Sequence, residues 1–258
     1  MKRALYAVPA VPAAAAAFVV VQVLRAAHRT DLPSFSNQDP SGLFGDPASP
    51  RLRIVALGDS SITSPGVEDL DNTWIRRLAR SQADRHHVEL IALAVGGSKA
   101  RDVVEGQLDE AVRLRPDVAV VCVGANDVIR GVPLDRYRDE ITEIVTRLQE
   151  TAGAILLFGV GDLGVIPRLP PTLRPYLSRR SARFDAVCHE LAVRSERVVK
   201  VWTKGRVSTA FVDDESLFAR DLFHAGDDGH AIFAEEAAPA MEAAATIARR
   251  HRSAAMGV

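Results

Sequence analysis

The stretch Arg51-Leu52-Arg53-Ile54-Val55-Ala56-Leu57-Gly58-Asp59-Ser60-Ser61 decides how this chain is read. Ile54 to Leu57 is continuous and apolar, the pattern of a short strand buried on both faces. Gly58 interrupts it, and Gly-Asp-Ser supplies a turn before the next helical pattern. A serine at the carboxyl end of a parallel strand, with a helix behind it, stands where open α/β sheets bind their ligands. Taken alone, the same turn is an ordinary strand-to-helix connection with Ser60 as its cap. The rest of the chain decides between the two.

Downstream, the same unit repeats. Asp71-Asn72-Thr73 marks a helix start before Trp74, Ile75, Leu78 and Ala79, a spacing that makes Trp74 a core anchor. Val88 to Val95 reads as a second strand, ending in Gly96-Gly97-Ser98, with a helix from about Arg101 to Leu114. Val118 to Val123 is a third strand and ends in Gly124-Ala125-Asn126-Asp127. Tyr137, Ile141, Ile144, Val145 and Leu148 fall at helical spacing and predict a helix from about Leu134 to Thr151. Ala154 to Phe158 is a fourth strand. Val160 to Pro175 carries four prolines and is long for a simple connection, as lids and surface insertions are. A helix from about Tyr176 to Arg194, a fifth strand at Val198 to Trp202, a loop from Thr203 to Gly226 and a helix from Asp227 to about His251 complete the pattern. Strands alternating with helices, without hairpin signals, predict about five parallel strands covered on both faces, a three-layer α/β/α sandwich.

Three segments follow. Residues 51–258, roughly 200 residues, suit one domain with a substantial core. Residues 1–29 hold the uncharged stretch Ala4 to Leu24 between Lys2-Arg3 and Arg25, about the 20 residues that a membrane-spanning helix needs. A cleaved signal peptide ends in a small-x-small site, and near Ala26-Ala27 that pattern meets Arg25. The stretch is therefore expected to be a hydrophobic helix acting as membrane anchor or signal segment. The protein is expected to be membrane-anchored or secreted, with its domain extracytoplasmic. Residues 30–50 read as a Pro/Ser-rich linker.

Composition excludes some functions. The net charge of −1 and 5% aromatic content offer no surface for nucleic acid. Cys122 sits inside an apolar run, as a buried small hydrophobe does. Whether it pairs with Cys188 is left open by the sequence.

Polar residues collect at the strand ends: Ser60, Gly97 and Asn126, with Asp221 and His224 in the loop after the fifth strand. In a parallel sheet those ends lie along one edge, so the residues can converge. A serine hydroxyl needs a base to become nucleophilic, and histidine suits that role near neutral pH. Asp221 reaches His224 if the intervening segment curls, and would fix the tautomer of the ring. A tetrahedral intermediate needs hydrogen-bond donors at its oxyanion, which a glycine N–H and an asparagine amide supply.

These four blocks resemble the SGNH/GDSL hydrolases, serine esterases and lipases with a flavodoxin-like fold. The resemblance runs from about Arg51 to Arg250, in the family's order. It implies Ser60 as nucleophile and Asp221 with His224 as its catalytic partners. It also implies an oxyanion hole of the Ser60 N–H, the Gly97 N–H and the Asn126 amide. Two departures stand out. Ala92-Leu93-Ala94 replaces an asparagine and a glycine often found in the second block, and Ser61 replaces the leucine of the namesake motif. The implied substrate is a small-molecule, lipid or sugar acyl ester, hydrolysed through an acyl-enzyme. An acyltransferase using the same residues and a non-catalytic binding domain are the alternatives.

Asp227-Asp228-Gly229-His230 competes as a second Asp-x-x-His block. There Asp227 reads as a helix cap and His230 falls within the first turns. Asp213, Asp214, Asp221, His224, Asp227, Asp228 and His230 form a carboxylate-imidazole cluster. Its spacing matches no metal motif, and neither a metal nor a cofactor is expected.

Overall fold

The computed structural model describes residues 18, 21–22, 29–203, 205–212 and 214–256. Six strands form one sheet: β1 (Gly42–Phe44), β2 (Arg51–Gly58), β3 (His87–Ala92), β4 (Val118–Cys122), β5 (Ala154–Phe158) and β6 (Val198–Val201). Their order is β1-β3-β2-β4-β5-β6. β1 runs antiparallel to β3, and all other neighbours are parallel.

Alternate residues along β2 feed two cores, as the two-residue period of a strand dictates. Val55 and Leu57 join the core that includes α3 (Ala100–Gly106), α4 (Leu108–Leu114), α6 (Leu134–Gln149) and α7 (Arg174–Val193). Ile54 and Ala56 join the opposite core, with α2 (Trp74–Ser81) and α9 (Asp227–Met256). Ala237, Met241, Ala244, Ala245 and Ala248 form the buried stripe of α9. Small residues at helical spacing let that helix lie close against the sheet and α2. The three-layer sandwich is therefore as the sequence predicts.

Three details depart from the expectation. The sheet has a sixth strand, β1, inside the segment read as a linker. With three residues, one of them glycine, it carries no alternation to read; Phe44 packs into the core and the Arg76 guanidinium lies 5.0 Å over its ring. The rest of that segment is also docked. Ala92 N–H donates to Ser41 Oγ at 3.0 Å, and Gln38 N–H donates to Thr63 O at 2.8 Å. Second, the helix expected over Arg101 to Leu114 is broken at Gln107 into α3 and α4. Third, the loop from Thr203 to Gly226 contains α8 (Arg206–Val212), whose Val207 and Phe211 are buried.

The apolar stretch Ala4 to Leu24 lies outside the described residues apart from Phe18, Val21 and Gln22. Among the described residues no helix is long and apolar enough to cross a membrane.

The sequence leaves β2 for β3 on one side and later returns to build β4 to β6 on the other. The strand order thus reverses beside β2, and the crevice at the carboxyl ends of β2 and β4 is where such sheets place a site.

Candidate active site

β2 stops at Gly58 for a steric reason. Its φ is +152°, and a Cβ there would stand 2.0 Å from the Cys122 carbonyl oxygen on β4. Only glycine lets the two strand ends approach so closely. The Gln107 side chain then replaces a strand partner: Gly58 N–H donates to its Oε1 at 2.8 Å, and its Nε2 donates to Gly58 O at 2.9 Å. The turn that follows is capped by Asp59, not Ser60. Asp59 Oδ1 accepts from Ser61 N at 2.9 Å and starts the short helix α1 (Ser60–Thr63). Ser60 opens that helix, half-buried, with its hydroxyl free of hydrogen bonds among the described residues. Burial pushes the Asp59 carboxyl above the usual range, against the opposing hydrogen bonds from Ser61 and Asn126.

Asp221 and His224 meet because the segment between them curls. Leu222 adopts a left-handed φ of 56°, a conformation that costs a non-glycine residue about 1–2 kcal/mol. Asp221 Oδ1 accepts both the Phe223 and His224 N–H groups at 3.0 Å. Its Oδ2 lies 2.6 Å from His224 Nδ1. Burial alone would raise the Asp221 carboxyl; the ring of His224 and these two N–H groups outweigh it and hold the group below its usual range. With Nδ1–H donating to Asp221, the lone pair of His224 is on Nε2. Ser60 and His224 line the same cavity.

The competing block is used otherwise. Asp227 is the first residue of α9, yet its carboxylate reaches away from that helix, accepting Glu68 N–H at 2.9 Å and Asn72 Nδ2 at 2.7 Å. His230 Nδ1 accepts the N–H of Trp74, at the start of α2, at 3.2 Å. His230 is 2% exposed, and burial drives its pKa down to about 3, so the ring is neutral.

Asn126 lies in the first turn of α5 (Ala125–Ile129) and joins the first two blocks. Its Nδ2 donates to Asp59 Oδ2 and to Ser98 O, each at 3.2 Å. Asp127 next to it is buried and accepts Ala100 N–H at 3.1 Å, which ties the start of α3 to α5. Burial pushes its carboxyl up to about 7. Gly97 turns the chain after β3 with φ +83°. Neither Gly97 nor Asn126 lines the cavity that Ser60 and His224 share. The structure thus joins Asp221 to His224, sets Ser60 in the same wall as that ring, and ties Asn126 to the Asp59 carboxylate and to the Ser98 carbonyl.

Residues 56–232 match the model of the GDSL-like lipase/acylhydrolase family. The chain belongs to that family. The matched span runs from β2 into α9 and includes Ser60, Asn126, Asp221 and His224. A GDSL-like esterase of Mycobacterium tuberculosis (strain ATCC 25618 / H37Rv), Rv1075c, is 28% identical over 190 residues, 71% of this chain. The match spans 60% of that relative's length. Among solved structures, an acetylxylan esterase from Geobacillus stearothermophilus, Axe2, superposes with TM-score 0.61 at 16% identity, covering 75% of this chain and 95% of that one. LAE5, an α/β hydrolase from the metagenome of Lake Arreo in Spain, has TM-score 0.61 at 19% identity, covering 76% and 97%. TesA has TM-score 0.59 at 19% identity, covering 74% and 98%. At these identities the structural likeness is one of fold.

Beside the GDSL serine the cavity has a volume of about 180 Å³. Val160, Leu163, Val165 and Ile166 of the Pro-rich segment line it. Trp74 is the expected core anchor, 1% exposed, and it also lines the cavity, with its indole N–H on Ser61 O at 2.6 Å. Sequence reading missed Val207 and Phe211 of the cavity wall. Their i, i+4 spacing was the available signal. Cys122 and Cys188 are both free thiols. Burial raises the Cys122 thiol far above its usual range, which keeps it protonated beside Ser60.

Proposed function

We propose that the chain hydrolyses carboxylic esters through an acyl-enzyme formed on Ser60. His224 Nε2 takes the proton from the Ser60 hydroxyl as its oxygen attacks the ester carbonyl carbon. Asp221 holds the ring tautomer and stabilises the imidazolium that forms. The N–H groups of Ser60 and Gly97 and the amide of Asn126 receive the oxyanion. Asn126 meets that role by redirecting one of its two hydrogen bonds from Asp59 or Ser98. His224 then protonates the departing alcohol, and a water activated by the same ring cleaves the acyl-enzyme, releasing the acid and restoring the serine.

The observation that carries this reading is the 2.6 Å contact between Asp221 Oδ2 and His224 Nδ1, on a ring that shares a cavity wall with Ser60. The test is turnover of an aryl ester by wild type and Ser60→Ala, with and without an added acceptor alcohol. The expected result is free acid as the main product, lost in Ser60→Ala. New ester formed faster than acid would mark an acyltransferase instead. From Lys2-Arg3 and the apolar Ala4 to Leu24 we also infer a membrane-anchored or secreted, extracytoplasmic enzyme, which fractionation of the full chain tests.

A further inference from the structure

The cavity beside Ser60 has a chemistry of its own. Away from Ser60 and His224 its wall is mostly apolar, with Phe158, Val160, Leu163, Ile166, Phe211 and Phe218, and Asp162 and Thr203 are among its polar residues. Two of its hydroxyls already donate to main-chain carbonyls, Ser64 Oγ to Ile62 O at 3.1 Å and Ser208 Oγ to Thr203 O at 2.7 Å. A sugar ring lodged there would bury hydroxyls against aromatic and aliphatic carbon, at a cost that an alkyl chain avoids. The occupant is therefore hydrocarbon.

Size narrows it further. An apolar cavity of about 150 Å³ accepts benzene, so the volume of about 180 Å³ here suits a chain of about six to eight carbons. An acetyl group, with one methyl, would leave most of it empty. Which end of the ester enters follows from the reaction sequence. The alcohol leaves after the first step and water takes its place, whereas the acyl group stays through both transition states. Binding of the acyl chain therefore assists both steps.

We propose that this cavity is an acyl-chain pocket that selects esters of medium-chain, unbranched acids of about six to eight carbons, with Gly161 setting its length. This rests on Ser60 being the nucleophile, as proposed above. Gly161 lines the cavity, has no left-handed φ, and a Cβ built on it meets nothing within 4 Å. A larger side chain therefore fits there without backbone strain or collision, which makes this position the probe of the cavity's length.

The test uses the full-length protein and two series of substrates: p-nitrophenyl esters from acetate to dodecanoate, and acetate esters of linear alcohols of the same lengths. In the first, kcat/KM is expected to rise about fourfold per methylene up to about six to eight carbons and then fall. In the second, it is expected to stay within about twofold, on the same per-methylene scale. A maximum at acetate, or a rise with alcohol length in place of acyl length, would overturn the proposal. Two variants locate the pocket. Gly161→Leu is expected to move the optimum to shorter acids, and Ile166→Ala to longer ones. A shift in either direction as stated supports the assignment; a profile unmoved by both overturns it. Ser60→Ala keeps the outcomes apart, since activity surviving in that variant at every length would refute the nucleophile, not the pocket.

Discussion

The side-chain amide of Gln107 grips both backbone polar groups of Gly58, accepting from its N–H at 2.8 Å and donating to its carbonyl at 2.9 Å. Gln107 is itself 2% exposed and interrupts what would otherwise be one helix. An amide that could have stayed in a helix surface thus reaches the strand end from which Asp59 and Ser60 turn. Gln107→Met keeps the volume and removes the bonds, leaving the buried Gly58 N–H unpaired at a cost of about 1–3 kcal/mol, while the Gly58 carbonyl keeps the Val95 N–H at 3.2 Å. The expected outcome is a lower urea midpoint together with kcat reduced by up to about 10²-fold at nearly constant KM, because the serine is displaced while the pocket persists. Unchanged kcat would show that Gly58 holds the turn without this clamp.

Asp221→Asn tests the partner of the ring. The aspartate carboxylate enforces Nδ1–H on His224, whereas an amide can enforce the opposite tautomer, and kcat is expected to fall by about 10⁴-fold. Stability should respond in a defined window. Burial opposes the Asp221 charge but is outweighed by His224 and two N–H groups, so the folded carboxyl titrates below its usual value. A depressed carboxyl stabilises the fold above the unfolded value of about 3.9, and that stability is lost as pH falls through the folded value. Wild type should therefore lose more stability than Asp221→Asn as pH drops below about 4 in denaturation series.

The two Asp-x-x-His blocks separate cleanly by variant. His230 is held neutral, with its Nδ1 accepting the Trp74 N–H and its pKa near 3. Only the unfolded chain binds a proton there between about 3 and 6.5, so this group's share of stability is full above about 6.5 and declines as pH falls. His230→Leu should lose about 1–3 kcal/mol at neutral pH from the orphaned N–H, flatten that acid limb, and keep Ser60 reactive. His224→Leu should do the reverse, leaving the fold intact and the serine inert. Loss of reactivity in His230→Leu with an undisturbed fold would exchange the two assignments.

Asp127 gives a dependence of opposite sign. Its carboxyl is pushed up to about 7, chiefly by burial, against the Ala100 N–H that it accepts. Folding therefore takes up a proton between about 3.9 and 7, and this group's contribution falls as pH rises through that window. Asp127→Asn retains an acceptor for Ala100 N–H and carries no charge. The difference in stability between variant and wild type, measured by denaturant titration, should grow in favour of the variant from pH 4 to pH 7. A constant difference would mean that the carboxyl titrates normally.

What the sequence revealed, and what it hid, divides by range. Ile54 to Leu57, Val118 to Val121 and Ala154 to Phe158 read as strands because they are buried on both faces, so composition alone marks them. Asp221 and His224 were legible as a pair because they stand three positions apart, and one left-handed residue closes the gap. β1 was hidden because an edge strand of three residues has no period to detect. The break at Gln107 was hidden because its cause, Gly58, lies 49 positions away. Asn126 was recognised, but its donation to Asp59 and Ser98 depends on three strand ends meeting, which no local pattern records. α8 was lost for another reason: its Val207 and Phe211 stand in a stretch read as loop between turn residues.

The central claim is that Ser60 is made nucleophilic by His224, and a fluorophosphonate probe measures this most directly, because it reacts with an activated serine hydroxyl and stays attached. Mass spectrometry of the digested full-length protein should find the phosphonyl adduct on the peptide containing Ser60 in wild type, and on no peptide in Ser60→Ala or His224→Ala. A folded wild-type chain that takes up no label, or that carries it on a residue other than Ser60, would contradict the account.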